Sequence, residues 1–286
     1  MFNLKIETFE KNIVELSHNE DNYQIINIIG LNPPNAQINN SPVAGMDGAL
    51  FNSSKLDTRN IVITVKINGN VEKNRLFLYR CFRTKEYCKI FYENNSRNVF
   101  IEGYAEIVDC DLFSKNEIAQ ISIVCLNPYF KDLKMITDDI SKIIKQFKFP
   151  FSINIDNPIP FSTLEVNKVT NVINSSESET GLIINATFLG SVDSFEIRNT
   201  KTGAKMLLTY SFLKNDILTI NCNRGSKSIV LLRDGVETNL FPYLVRGSTF
   251  FQLNIGDNYF SYLADDGNSD QLVSVLFKHY NVYRGV

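Results

Sequence analysis

Short runs of β-branched and aromatic residues, each stopped by a polar turn, dominate this 286-residue chain. In its second half they read GLIINATFLG, SFEIRN, KMLLTYSF, DILTINC, SIVLLRDG, TFFQLNIGDNYFSYLA and LVSVLF, with NRGSKS, RDG and DDGNSD among the separators. A strand this short buries its apolar face only by pairing with neighbours. A spacing of about ten residues therefore predicts hairpin-linked strands in an antiparallel β-sandwich.

The first half carries the same signal with one interruption. IVITVKI at 61–67, NVFIEGYAEIVDCD, EIAQISIVC and the shorter YQIINII and KIFYE read as strands of one sheet. Residues 72–87, EKNRLFLYRCFRTKEY, lack Gly and Pro and place Leu78, Cys81 and Phe82 at helical spacing, which predicts the single helix. Prolines mark the seam, because Pro128, Pro150, Pro158 and Pro160 cluster around the charged stretch KDLKMITDDISKIIKQFKFPF. The expected division is a first domain over 1–135, a linker over 136–150 and a second domain over 151–286. No repeat of longer period runs along the chain.

Composition removes several classes of function. With 44% hydrophobic residues the chain can build packed cores, and a net charge of −2 makes neither a polyanion nor an anionic membrane the expected partner of the whole surface. The five cysteines, Cys81, Cys88, Cys110, Cys125 and Cys222, are odd in number and include no C-x-x-C pair, so they read as reduced, buried thiols. The start MFNLKIETFEKNIVEL alternates like a strand and lacks the basic-then-apolar pattern of a signal peptide, and no apolar run reaches spanning length. Synthesis in the cytoplasm is expected.

Residues that could carry chemistry are few. Two histidines occur, His18 in the polar SHNEDN turn and His279 in FKHYNVYRGV, and neither adjoins a catalytic motif. An enzyme acting on a wall polymer would need one of these, or a carboxylate pair such as Asp109 and Asp111, which read better as the end of a strand. DDGNSD at 265–270 lacks the alternating ligands and terminal Glu of a calcium loop and reads as a hairpin turn. Cys81 and Cys88 would share a helix face, but no further ligand completes a metal site. Lys73, Arg75, Arg80, Arg83, Lys85 and Lys89 beside Tyr79, Tyr87 and Phe91 could meet a nucleic acid; a solvated helix face explains them as well. Tyr210, Tyr243, Tyr259 and Tyr262 suit a sugar-binding sandwich, although the chain has no Trp for the strongest stacking platform. No catalytic residue, cofactor or metal is expected.

One stretch resists the β reading. Residues 30–60, GLNPPNAQINNSPVAGMDGALFNSSKLDTRN, show little periodicity, and structureless loops this long in a compact domain are usually functional or disordered. Ala44, Ala49, Leu50, Phe51 and Leu56, around a turn framed by Gly45 and Gly48, give it ordering power that a free linker lacks. It reads as an arm built to pack on something, either its own sheet or the sheet edge of a neighbouring copy.

The order G-L-x-P-P at 30–34, G-x-D-G-A-L-F at 45–51 and S-S-K-L-x-x-R-N-I-x-I at 53–63 resembles the N-terminal domain of the distal tail (Dit) proteins of long-tailed phages and prophage tails. The resemblance continues through RLFLYRCFRTK, IEGYAEIVDCDLFS and IAQISIVCLNPYF to Asn127, Pro128 and Tyr129. More loosely, GSTFFQLNIGDNYFSY and the terminal YNVYRGV look like that family's galectin-like second domain. It implies a mainly β fold: a barrel-like or sandwich first domain with one α-helix, then a galectin-like antiparallel β-sandwich. It further implies a non-enzymatic hub at the virion tail tip, a hexameric ring joining the tail tube protein to a tail-associated fibre- or lysin-like protein and to receptor-binding or baseplate components. Tail-like bacteriocins could use the same fold. The residues expected at the subunit interface are Gly45, Asp47 and Gly48 for the turn, Leu50 and Phe51 as anchors and Arg59 as a charged contact. The alternative is a carbohydrate-binding module that contacts the host cell wall through residues 150–286.

Overall fold

A computed structural model describes residues 2–17, 22–111, 117–145, 162–166 and 169–286; for 141–145 and 162–166 it describes the backbone alone. The described chain is mainly β and divides into two compact units. The first comprises Met1–Leu133 with Val282–Val286, and the second Lys134–Asn281.

The strands of the first unit are β1 (Asn3–Thr8), β2 (Ile13–Leu16), β3 (Tyr23–Ile29), β4 (Ala36–Pro42), β5 (Ala49–Leu56), β6 (Arg59–Ile67), β7 (Tyr87–Glu93), β8 (Asn98–Cys110), β9 (Ile118–Cys125) and β10 (Phe130–Asp132). One sheet runs in the order β2-β1-β7-β8-β9-β6-β3, all pairs antiparallel. Its two ends meet where the Ile25 amide donates to the Ser17 carbonyl at 3.0 Å, which closes the sheet into a barrel. Strict alternation explains the closure: Ile61, Ile63, Val65 and Ile67 point inward from β6 while Asn60, Val62, Thr64 and Lys66 point outward.

The helix α1 covers Val71–Cys81 and stops well short of the predicted 72–87. It begins where the Asn70 side chain accepts from the Lys73 amide at 3.1 Å, an N-cap with Glu72 in the first turn. It ends because Lys85 adopts φ +75° and its amide donates to the Ala105 carbonyl at 2.8 Å, drawing the chain into the sheet. From Tyr87 onward YCKIFYE alternates with period two and pairs on both sides, with β1 and β8. Cys88 therefore lies on a strand, not on the face of Cys81. Burial pushes its thiol up to about 12.

In the second unit, β11 (Ile136–Asp139), β12 (Ser141–Lys145), β13 (Ser162–Val166), β14 (Thr170–Asn174), β15 (Thr180–Gly181), β16 (Ile183–Phe188), β17 (Val192–Asn199), β18 (Lys205–Phe212), β19 (Ile217–Asn221), β20 (Ser228–Arg233), β21 (Val236–Asn239), β22 (Gln252–Leu253), β23 (Gly256–Ala264) and β24 (Val273–His279) follow in order. A six-stranded sheet, β11-β24-β16-β19-β20-β21, packs on a four-stranded sheet, β14-β23-β17-β18. Aromatic rings tie the two layers: Phe188 of β16 stacks on Phe212 of β18 at 4.1 Å, and Phe260 of β23 on Phe277 of β24 at 5.0 Å. The RDG separator becomes the tight turn of the β20–β21 hairpin, with Asp234 at φ +50° and Gly235 at φ +79°.

Two boundaries differ from the sequence reading. The stretch assigned to a linker over 136–150 starts as β11, an edge strand on β24, and Ile140 is wholly buried in the second core. Its two adjacent aspartates disguised it: Asp139 faces outward, but Asp138 lies partly buried on the same side as Ile136 and Ile140. The end of the chain also departs from the 151–286 assignment, because β25 (Val282–Tyr283) pairs with β10 in the first unit. Residues 146–150 of that stretch, and 151–161 at the start of the expected second domain, lie outside the described residues, as does His18.

Candidate subunit-interface arm

Residues 30–60, expected to be a loop with little periodicity, form a long hairpin of β4 and β5 with a bulge at Asn39 and Asn40. The register sorts its side chains by face. Ala36, Ile38, Pro42, Ala49, Phe51 and Leu56 share one side with Asn40 and Ser54. Gln37, Asn39, Ser41, Ser53 and Lys55 take the other side together with Leu50. Cross-strand hydrogen bonds knit the polar side, from Asn39 Nδ2 to Ser53 Oγ at 2.9 Å and from Asn52 Nδ2 to Ser41 Oγ at 2.7 Å. The sequence hid this hairpin because Asn, Ser and Pro, poor strand formers, fill the places where β-branched residues usually signal one.

The hairpin is exposed almost throughout, with Ile38 at 62%, Leu50 at 55% and Phe51 at 67% accessibility. Leu50 and Phe51, both expected as anchors, therefore point to opposite faces. Gly45 at φ +79° and Gly48 at φ +87° form the tip around exposed Asp47, and neither has an atom near a would-be Cβ. Conformation, not crowding, calls for glycine at both.

Arg59 is elsewhere and does other work. Expected as a contact between subunits, it is only 3% exposed and is consumed inside its own unit. Its Nε donates to the Pro128 carbonyl at 2.8 Å, Nη1 to the carbonyls of Gly30 and Asn32, and Nη2 to that of Arg284. The guanidinium also lies 4.7 Å over the Phe130 ring. Burial lowers its pKa and the nearby Cys125 opposes this, yet a guanidinium stays charged. Four of its five N–H donors thus hold the arm's root, the Asn127-Pro128-Tyr129 turn and the chain terminus in one knot. Gly30 belongs to the knot too, since at φ +95° its would-be Cβ would sit 2.1 Å from the Asn60 carbonyl.

The residues weighed for chemistry scatter. Asp109 and Asp111 are exposed at the end of β8. Arg75 pairs with Glu72 at 2.6 Å and lies over Tyr79, and Arg83 pairs with Glu10 at 2.7 Å, so much of the basic helix face is committed within the unit. In DDGNSD, Asp265 Oδ1 accepts the amides of Asp193 and Ser194 and Asp270 Oδ1 accepts that of Ala264, so these carboxylates cap backbone. Among the described residues no group of three or more His, Cys, Asp and Glu could hold a metal. His279 is buried, and desolvation lowers its pKa against the pull of Asp138. Of the tyrosines considered for sugar, Tyr262 is buried and donates to the Val273 carbonyl at 2.8 Å. It lines a cleft of about 450 Å³ whose Arg198 is paired with Glu196. Tyr210 and Tyr243 meet edge to face at 4.8 Å.

Residues 175–279 match the family model described as siphovirus-type tail component, C-terminal domain. The second unit is therefore similar to the C-terminal domain of siphovirus-type tail components. Over the whole chain, the fold is that of the distal tail protein Dit of phage SPP1, with a TM-score of 0.70 at 13% identity, covering 98% of this chain and 99% of that one. That structure is described as a paradigm of the hub adsorption apparatus in phages infecting Gram-positive hosts. A chain of the phage P2 baseplate, in its activated conformation with calcium, aligns at a TM-score of 0.58 and 10% identity over 98% of both chains. No curated protein sequence matches. The resemblance to distal tail proteins thus holds in the second unit by family model and in the entire chain by fold.

Proposed function

We propose that this chain is a structural subunit of a phage tail tip, a distal tail hub that works by assembly. The carrying observation is the arm: a two-stranded hairpin with an apolar face that its own unit leaves uncovered. An isolated ribbon of this kind is marginal in water, and burying Ile38 and Phe51 would contribute about 2 kcal/mol each. The likeness to hub and baseplate proteins supports the same reading. In this reading the arm of one copy docks on the next, first units close into a ring of six, and second units carry the contacts to other tail components. Because arm and receiving surface are different patches, the contact is heterologous and closes by rotation. The tail tube protein, a fibre- or lysin-like hub protein and receptor-binding components are the partners, and no substrate is turned over.

Light scattering of the purified chain, with tail tube protein added as template, tests this. A species of six times the chain mass that disappears in an Ile38→Asp, Phe51→Asp variant is expected. Assembly unchanged by that variant would overturn the role of the arm. Retention of cell-wall polysaccharide by the full chain, lost on Tyr243→Ala, would instead favour a carbohydrate-binding module.

A further inference from the structure

The last five residues leave the second unit and end against the arm's root. Val282 and Tyr283 pair with Lys131 and Phe130, and the Tyr283 hydroxyl bonds to Asp132 Oδ2 at 3.2 Å. Arg97 lies 4.2 Å over the Tyr283 ring and donates through Nη1 to the Gly285 carbonyl at 2.9 Å. The Arg284 carbonyl is one of the four acceptors on Arg59. Finally, the Val286 amide donates to the Leu31 carbonyl at 3.2 Å, and Gly285 lies so close to Pro33 that a Cβ there would come within 3.0 Å of Pro33 Cδ.

The segment these contacts hold, residues 30–33, leads directly into β4. On its other side, the Asp57 amide donates to the Asn35 carbonyl at 3.0 Å and closes the base of the hairpin. Arg59 binds the root and the tail with one rigid fork, so the two are ordered together: removing the tail withdraws one of its acceptors and the Val286 bond in the same event. A two-stranded ribbon takes its direction from its base, because among the described residues all of β4 and β5 but Leu56 is exposed.

We propose that the segment 282–286 is a clasp that fixes the root of the arm and so sets its direction. The clasp is a property of the single chain and stands whether or not the arm docks on a second copy.

Hydrogen exchange on full-length protein and on a chain ending at residue 281 tests it. Exchange at the Asp57 amide, which closes the hairpin base on the Asn35 carbonyl, should rise about tenfold or more in the truncated chain, while the amides of β6 and β9 keep their protection. A second variant, Gly285→Val, keeps the chain length and wedges the tail from Pro33; it should raise exchange at the same Asp57 amide. Unchanged exchange at the root in both proteins would overturn the clasp. So would a Gly285→Val protein in which β6 and β9 lose protection as much as the root does, since the tail would then support the barrel in general.

Discussion

Arg59 is the residue through which the first unit is most exposed to damage. Its charge is buried without a carboxylate and is balanced by four backbone carbonyls. Arg59→Ala would leave those carbonyls unsatisfied, and a loss of about 3 kcal/mol or more is expected in denaturant unfolding of the first unit. Arg59→Lys should recover little, because an ammonium cannot reach four acceptors spread over a planar fork. Sequence showed this arginine beside the arm but assigned it outward. Its acceptors are carbonyls from positions as distant as 30 and 284, and carbonyls leave no mark in a sequence. In the second unit, His279 gives the pH dependence. Its pKa in the folded chain lies below the unfolded value of 6.5. The unfolded chain therefore takes up the proton first as pH falls. Stability supplied by the neutral ring is complete above about pH 6.5 and declines below it, by at most about 1.4 kcal/mol per pH unit. Thermal unfolding of His279→Leu should lack that part of the decline; an identical pH profile would contradict it.

At the scale of elements, the arm separates stability from assembly. Phe51→Asp alters no packed contact in the single chain, so its melting temperature as a monomer should match the parent within about the change that 0.5 kcal/mol produces. Gly48→Val puts a β-branched residue at φ +87° and should disorder the tip at a cost of about 1 to 2 kcal/mol, visible as faster exchange of the turn amides. Strands with regular alternation, such as β6 and β16, were legible in the sequence because one face is buried. The hairpin was not, since it has no buried face in this chain and its strand positions are filled by Asn, Ser and Pro. The helix was overextended by residues 82–87 for a related reason: Lys85 takes a left-handed conformation that its residue type does not advertise.

For the whole molecule, the sequence placed two β-rich bodies in the right order and missed how the chain joins them. The connector begins as the edge strand β11, and the final strand crosses back to the first unit. Both signals are nonlocal, because a short strand such as Val282–Tyr283 is defined only by the partner it meets. One consequence is open to test without any phage component. A bulky group inserted directly after Val286 should raise exchange at the Asp57 amide, whereas the same group before the first strand should leave it unchanged.

The crossing-back of the chain also has a consequence for biosynthesis. Residues 1–133 emerge from the ribosome long before 282–286, and at about 5 to 20 residues per second the gap is roughly 8 to 30 s. Through that interval Arg59 has no Arg284 carbonyl to hold, and the first unit waits, incomplete, beside its own nascent chain. The knot can be tied only once residues 282–286 have been made. Products that stop short of residue 282 would carry an arm without its fixed base.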